Sequence, residues 1–139
     1  VEDELAKSND LLQLEYQKIS AQEPRSEILM AEDCEYLIAA WGTCARIAKG
    51  AMQKARAAGI KAGLFRPLTL WPFPAAALAA VAEKAKAALV VEMNTGQMLE
   101  DVQLSTKHSI PIHFSGYPGG RVPTESDIFK ALSKIANQI

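Results

Sequence analysis

The sequence predicts a three-layer α/β fold with five strands, and three observations carry that reading. Short apolar runs alternate with amphipathic helical stretches along almost the whole chain. Successive runs are joined by a dozen or more residues, the length that a crossover between parallel strands requires. Hydrophobic residues make up 49% of the chain but aromatics only 6%, a balance suited to alanine-rich helices packed on a sheet. At 139 residues, one such domain buries about two-thirds of the surface its unfolded chain exposes, so it needs neither metal nor disulfide to fold.

A lead-in helix comes first, from Leu5 to Ile19, with Leu5, Leu12, Tyr16 and Ile19 on one stripe. Pro24 closes it, so residues 1–24 form a helix and linker ahead of an α/β domain over residues 25–139. Ser26 to Met30 reads as a short edge strand before a turn at Ala31-Glu32-Asp33. Tyr36 to Trp41 is the first buried strand, and Gly42-Thr43 turns it into a helix from about Cys44 to Ala58. Ala48, Ala51, Met52 and Ala55 form that helix's inner stripe, Arg46, Lys49, Gln53 and Arg56 face water, and Gly59 ends it as a C-terminal cap. Ile60 to Phe65 is the next strand. After a proline-rich loop, Pro74 suits the first position of a helix over Ala75 to Lys86 that turns Leu78, Val81, Ala82 and Ala85 inward. Ala88 to Met93 follows as a strand, and Asn94 with Gln97 makes a capping box for a helix to about Lys107. Pro111 to Phe114 is the last strand, with His113 on its less buried face. Thr124-Glu125-Ser126-Asp127 then opens a final helix packed through Ile128, Phe129, Leu132 and Ile135.

Fifteen basic residues against sixteen acidic leave a net charge of −1, so no overall field draws the chain to nucleic acid or to an anionic membrane. Its apolar runs fall far short of the roughly 20 residues that span a bilayer. No export signal opens the sequence, and a soluble, cytoplasmic location is expected. Two cysteines, Cys34 and Cys44, supply neither a disulfide framework nor the thiolates of an ordinary iron–sulfur cluster. Beginning at Val1 without an initiator methionine, the chain reads as a piece of a longer polypeptide.

In parallel α/β sheets ligands gather at the carboxyl ends of the strands, which directs attention to the loops leaving Trp41, Phe65, Met93 and Phe114. Gly42 and Thr43 aim a helix N-terminus at that edge, and Asn94 and Gly96 aim a second, so these four residues are the candidate site for a small anion. No dinucleotide or P-loop glycine signature accompanies them. Cys44, in the first turn beside Arg46, is a candidate thiol nucleophile without a base nearby in sequence. Glu92 brings a carboxylate to the same edge, as a general acid or base, or as a structural ion-pair partner or simple cap. The loop from Arg66 to Pro74 is long for a strand-to-helix connection and holds three prolines. Arg66, Leu70, Trp71 and Phe73 make it a candidate docking surface. The glycine loop Tyr117 to Arg121 offers an arginine to an anion but reads first as a turn.

Four segments taken in order, Trp41-Gly42-Thr43-Cys44-Ala45-Arg46, Gly63 to Pro74, Val91 to Met98 and Pro118 to Thr124, resemble the C-terminal domain of the alpha subunit of 2-oxoacid:ferredoxin oxidoreductases. The likeness runs from about Glu27 to Ala136 and leans toward the 2-oxoisovalerate and 2-oxoglutarate enzymes. It implies an α/β/α sandwich like the transketolase C-terminal domain, mostly parallel, with strand order 1-3-2-4-5 and an antiparallel first strand. It also implies a complete enzyme that oxidatively decarboxylates a 2-oxoacid on thiamine diphosphate with Mg, passes electrons through iron–sulfur clusters to ferredoxin, and releases an acyl-coenzyme A. The family's thiamine-binding Gly-Asp-Gly segment and its cluster cysteines have no counterpart in this sequence. No cofactor or metal is therefore expected in this chain, and its partners are expected to be an N-terminal thiamine-binding domain and the beta and gamma subunits of the complex. The expectation is a non-catalytic docking domain. Its alternatives are a free-standing module that holds a small anion at the carboxyl edge and a thiol enzyme using Cys44.

Overall fold

In the computed structural model, which describes residues 1–138, five strands form one sheet in the order β1-β3-β2-β4-β5. The strands are β1 (Ser26–Leu29), β2 (Tyr36–Ala40), β3 (Ala62–Pro67), β4 (Ala87–Glu92) and β5 (Ile112–Gly116). The helices are α1 (Glu2–Gln22), α2 (Gly42–Ala57), α3 (Ala75–Ala82), α4 (Gln97–Thr106) and α5 (Glu125–Ala136). β1 runs antiparallel to β3, placing Ser26 opposite Pro67, and the other pairings are parallel. Class, strand order and the antiparallel edge all match expectation.

Every residue of β2 and β4 is buried, because helices cover both faces of the sheet centre. The two-residue period of a strand then divides the core. Ile38, Ala40, Leu64, Leu89 and Val91 point to the face packed by α2 and α5, whereas Leu37, Ala39, Phe65, Ala88 and Val90 meet Leu78 of α3 with Met98 and Val102 of α4. The alanine stripe of α2 lets that helix lie close to the sheet, and the Glu125 side chain at the start of α5 lies over Gly50. Glu125 pairs with Lys54 at 2.8 Å. A reciprocal capping box between Thr124 and Asp127 starts α5.

Some boundaries move, each for a local reason. β3 begins two residues later than expected because Ile60 is taken by the end of α2. Gly59, at φ +83°, donates to the Arg56 carbonyl and Ile60 to that of Ala55, the paired bonds of a Schellman cap. α3 stops at Ala82 rather than Lys86: a turn buries Ala85 and delivers the Lys86 amide to the Glu35 carbonyl, which sets up β4. Pro74 is the residue before α3, not its first residue. Arg56 does not face open water. Its guanidinium donates to the carbonyls of Ala62 and Met30 at 2.6 and 2.7 Å and grips both Asp33 oxygens, tying the end of α2 to the β1–β2 turn. That contact holds the Asp33 carboxyl below its ordinary value.

α1 is longer than its predicted span and buries none of its residues. Leu5, Leu11, Leu12, Leu14 and Tyr16 are all exposed along it.

Candidate functional site

Four helices start at the carboxyl edge of the sheet, and two of them, α2 and α4, treat their first amides in opposite ways. At the head of α4, Glu92 closes β4 with its side chain 1% exposed. One carboxylate oxygen accepts from the Met98 amide at 2.9 Å and from the Asn94 side-chain amide at 3.1 Å, and the other accepts from the Leu99 amide at 3.1 Å. The Asn94 carbonyl oxygen accepts from the amides of Gly96 and Gln97. Gly96, at φ +115°, is the cap residue, so the expected capping box led by Asn94 is replaced by a carboxylate reaching in from the preceding strand. All the amides that point out of this helix end are engaged, and the dipole there is met by a fixed negative charge. Asn94 and Gly96 thus belong to an internal cap and do not join Gly42 and Thr43 in one open anion site. The same charge, behind burial and Glu100, helps to raise the Asp101 carboxyl.

α2 begins differently. Trp41 occupies its cap position in extended geometry and gives no side-chain hydrogen bond. Gly42 follows at φ +55°, with open space where a Cβ would stand, so glycine is required by backbone conformation and not by crowding. Gly42 and Thr43 are exposed, no acidic residue stands in the first turn, and Arg46 and Lys49 continue the same helix face. Cys44 is 3% exposed, and burial together with the Glu92 charge raises its thiol above the ordinary range. Burial pushes the Cys34 thiol up to about 11. Neither cysteine has the lowered pKa of an activated nucleophile.

The third feature of this edge is the loop after β3. Arg66 pairs with Glu27 across the β1–β3 ladder at 3.1 Å. Phe73 turns inward and stacks at a tilt against Phe65, with ring centroids 6.2 Å apart. Leu70 and Trp71 point outward, Trp71 being 61% exposed, and Leu68 joins them. Thr69, not singled out from the sequence, sets this shape. Its hydroxyl accepts from the Arg25 amide and donates to the Pro72 carbonyl, both at 2.9 Å, while the Leu68 and Thr69 amides donate to the Arg25 carbonyl. The Trp71–Pro72 peptide is cis. Tyr16 of α1 meets the Trp71 ring edge to face, with centroids 5.7 Å apart, so the loop and the unburied helix share one apolar surface. A hydroxyl next to a chain entry such as Arg25 is a local turn signal, but its partner lies 44 residues away and only the fold pairs them. In the glycine loop, Gly119 and Gly120 both adopt positive φ and Arg121 is exposed, as a turn requires.

No helix is long and apolar enough to cross a membrane among the described residues.

Residues 34–128 match the family model described as pyruvate:ferredoxin oxidoreductase core domain II. Among curated relatives, the ketoisovalerate oxidoreductase subunit VorB of Methanothermobacter marburgensis is 38% identical over 136 residues, which is 98% of this chain and 38% of the relative. The 2-oxoglutarate synthase subunit KorA of Methanothermobacter thermautotrophicus is 31% identical over 76% of this chain and 28% of its own length. The chain thus spans well under half the length of these relatives. Among solved structures, a 2-oxoglutarate:ferredoxin oxidoreductase from Magnetococcus marinus, with 2-oxoglutarate, coenzyme A and succinyl-CoA bound, superposes with a TM-score of 0.73 at 24% identity over 85% of this chain and 21% of that one. A split-gene transketolase, an inactive β4 tetramer, gives 0.64 at 22% identity over 79% of this chain and 40% of that one. At those identities the two structures establish the shared fold. With a family model matched over most of its α/β portion, the chain belongs to the pyruvate:ferredoxin oxidoreductase core domain II family.

Proposed function

We propose that this chain is a non-catalytic docking domain of the alpha subunit of a thiamine-diphosphate-dependent 2-oxoacid:ferredoxin oxidoreductase. In the complete enzyme a 2-oxoacid is decarboxylated and oxidised to an acyl-coenzyme A, with electrons leaving through iron–sulfur clusters to ferredoxin. That chemistry resides in a thiamine-binding domain and in beta and gamma subunits, all in the cytoplasm. Residues 1–24 serve as a helical lead-in and residues 25–139 as the docking domain. The Gly-Asp-Gly segment that binds thiamine diphosphate in the family has no counterpart in this sequence, which supports placing the cofactor outside this chain.

The apolar surface shared by Leu68, Leu70 and Trp71 with the unburied helix α1 carries this reading. A loop stiffened by Thr69 and prolines loses little entropy on docking, and an exposed tryptophan held by a tyrosine is a natural anchor. Because the chain spans about 38% of the VorB relatives it matches, the occupant we assign to this surface is the remainder of the same subunit. Coexpression of the complete subunits with Trp71→Ala, followed by analytical ultracentrifugation, tests the assignment. Assembly should weaken by about 2 kcal/mol or more, while this chain alone keeps its urea midpoint. Unchanged assembly refutes the docking role, and a large loss of midpoint in the chain alone assigns Trp71 to its own core.

A further inference from the structure

We infer that the whole carboxyl end of the sheet, and not the β3 exit loop alone, is a protein-docking face covered by the remainder of the same subunit. Each loop leaving a parallel strand there exposes a large apolar side chain: Trp41 after β2, Leu68, Leu70 and Trp71 after β3, Met93 after β4 and Val122 after β5. Both tryptophans of the chain stand on this one end. The register sets three of these exits side by side. Ala39 lies opposite Phe65 and Ala40 opposite Val91, so Leu68, Trp41 and Met93 leave nearly level from neighbouring strands spaced about 4.8 Å apart. The opposite end of the sheet is built otherwise. Its turns carry charge that is already paired, Asp33 with Arg56 and Glu35 with both Lys61 and Lys86, and among the described residues they expose one large apolar side chain, Met30. Trp41 is the clearest sign of what the carboxyl end is for. It holds the cap position of α2 in extended geometry, where Ser, Thr, Asp or Asn would accept from a helix amide, and it gives no such bond. A residue that forgoes a local stabilising contact and leaves its ring 38% exposed has its partner outside the helix it starts. Met93, 39% exposed, stands beside α4 amides already engaged by Glu92, so it brings apolar area and no open polar group. Single apolar side chains scattered over a surface need no explanation, but a set gathered on one end of a fold marks an interface. Length supplies the occupant. The chain spans 38% of each VorB relative, so the larger part of such a subunit lies outside it. That occupant rests on the docking reading above, with Leu68, Leu70 and Trp71 common to both surfaces, whereas Trp41, Met93 and Val122 are what the carboxyl end adds. The edge at which parallel α/β sheets ordinarily admit a ligand is then closed by protein.

Hydroxyl-radical footprinting read by mass spectrometry tests this on three preparations: the chain alone, the complete alpha subunit, and that subunit with its beta and gamma partners. Oxidation of Trp41 and Met93 should fall by about three-fold or more from the chain alone to the complete subunit, because the centre of a protein interface excludes water. Met30, 53% exposed at the opposite end of the sheet, is the internal reference and should keep its rate. Protection of Trp71 with Trp41 and Met93 unprotected overturns the extended face and leaves docking through the β3 exit loop standing. Protection of none of the three overturns both. Protection that arises only when the beta and gamma partners are added overturns the assigned occupant, and equal protection of Met30 overturns the restriction to one end of the sheet.

Discussion

Two of the helix starts at the carboxyl edge, α2 and α4, follow neighbouring central strands, and they differ in how their first amides are met. α4 is closed by a carboxylate buried within the chain, so its end is a structural joint between β4 and the helix. α2 is open, led by a tryptophan that gives no side-chain cap, and has no acidic residue in its first turn. A helix N-terminus is therefore not a ligand site by virtue of its geometry. What separates a joint from a site is whether the protein has already spent a partner on it.

The largest test removes the joint. Glu92→Ala leaves the Met98 and Leu99 amides and the Asn94 amide group without their acceptor in a buried place, and should cost about 3–5 kcal/mol. A lower urea midpoint at constant m-value measures it, and Glu92→Gln, which keeps one acceptor oxygen, should lose less. A loss of only a few tenths would make the two helix starts equivalent.

The opposite end of α2 supplies a second contrast. Arg56→Ala strips hydrogen bonds from the carbonyls of Ala62 and Met30 and leaves Asp33 alone, for an expected loss of about 2 kcal/mol. Arg46→Ala, at an exposed position one turn into the open end, should change the midpoint by less than about 0.5 kcal/mol. If the two arginines cost the same, the contrast between the two ends of α2 is absent. Thr43→Asp sharpens the point: an acid in the first turn of an uncapped helix should add about 0.5 kcal/mol.

The smallest effect expected is one of pH. Asp33, Glu35 and Asp127 all have carboxyls held below their ordinary values, Asp33 chiefly by the Arg56 hydrogen bond, Glu35 by Lys86 and Lys61, and Asp127 by Thr124. A depressed folded-state value means that the unfolded chain binds protons first as pH falls. Their contribution is complete above the ordinary values of 3.8 for the aspartates and 4.5 for the glutamate, and drains away as pH falls below them. These groups lie at the surface, so the slope is shallow. Arg56→Ala should flatten it further in urea midpoints measured from pH 5 to pH 2. An unaltered slope would remove Asp33 from the account.

Much of this molecule was already legible in its letters. Apolar runs such as Tyr36 to Trp41 and Ala88 to Met93, separated by helical stripes such as Ala48, Ala51, Met52 and Ala55, dictate a parallel α/β sheet because burial period and crossover length are local properties of the chain. The strand order and antiparallel edge came from the four family-like segments, not from periodicity. Sequence also marked the segments that matter: Gly42-Thr43, Glu92 to Gly96, and the loop from Arg66 to Pro74. What it left open was the partner of each group. Glu92 reaches the α4 amides six and seven residues ahead, Thr69 meets Arg25 across 44 residues, Phe73 turns inward while Trp71 turns outward, and Arg46, Lys49, Arg66 and Glu27 come together only when β1 folds back beside β3. Hydrogen bonds and charge pairs act over a few ångströms of space, and their distance along the chain carries no information about them until the tertiary structure has closed it.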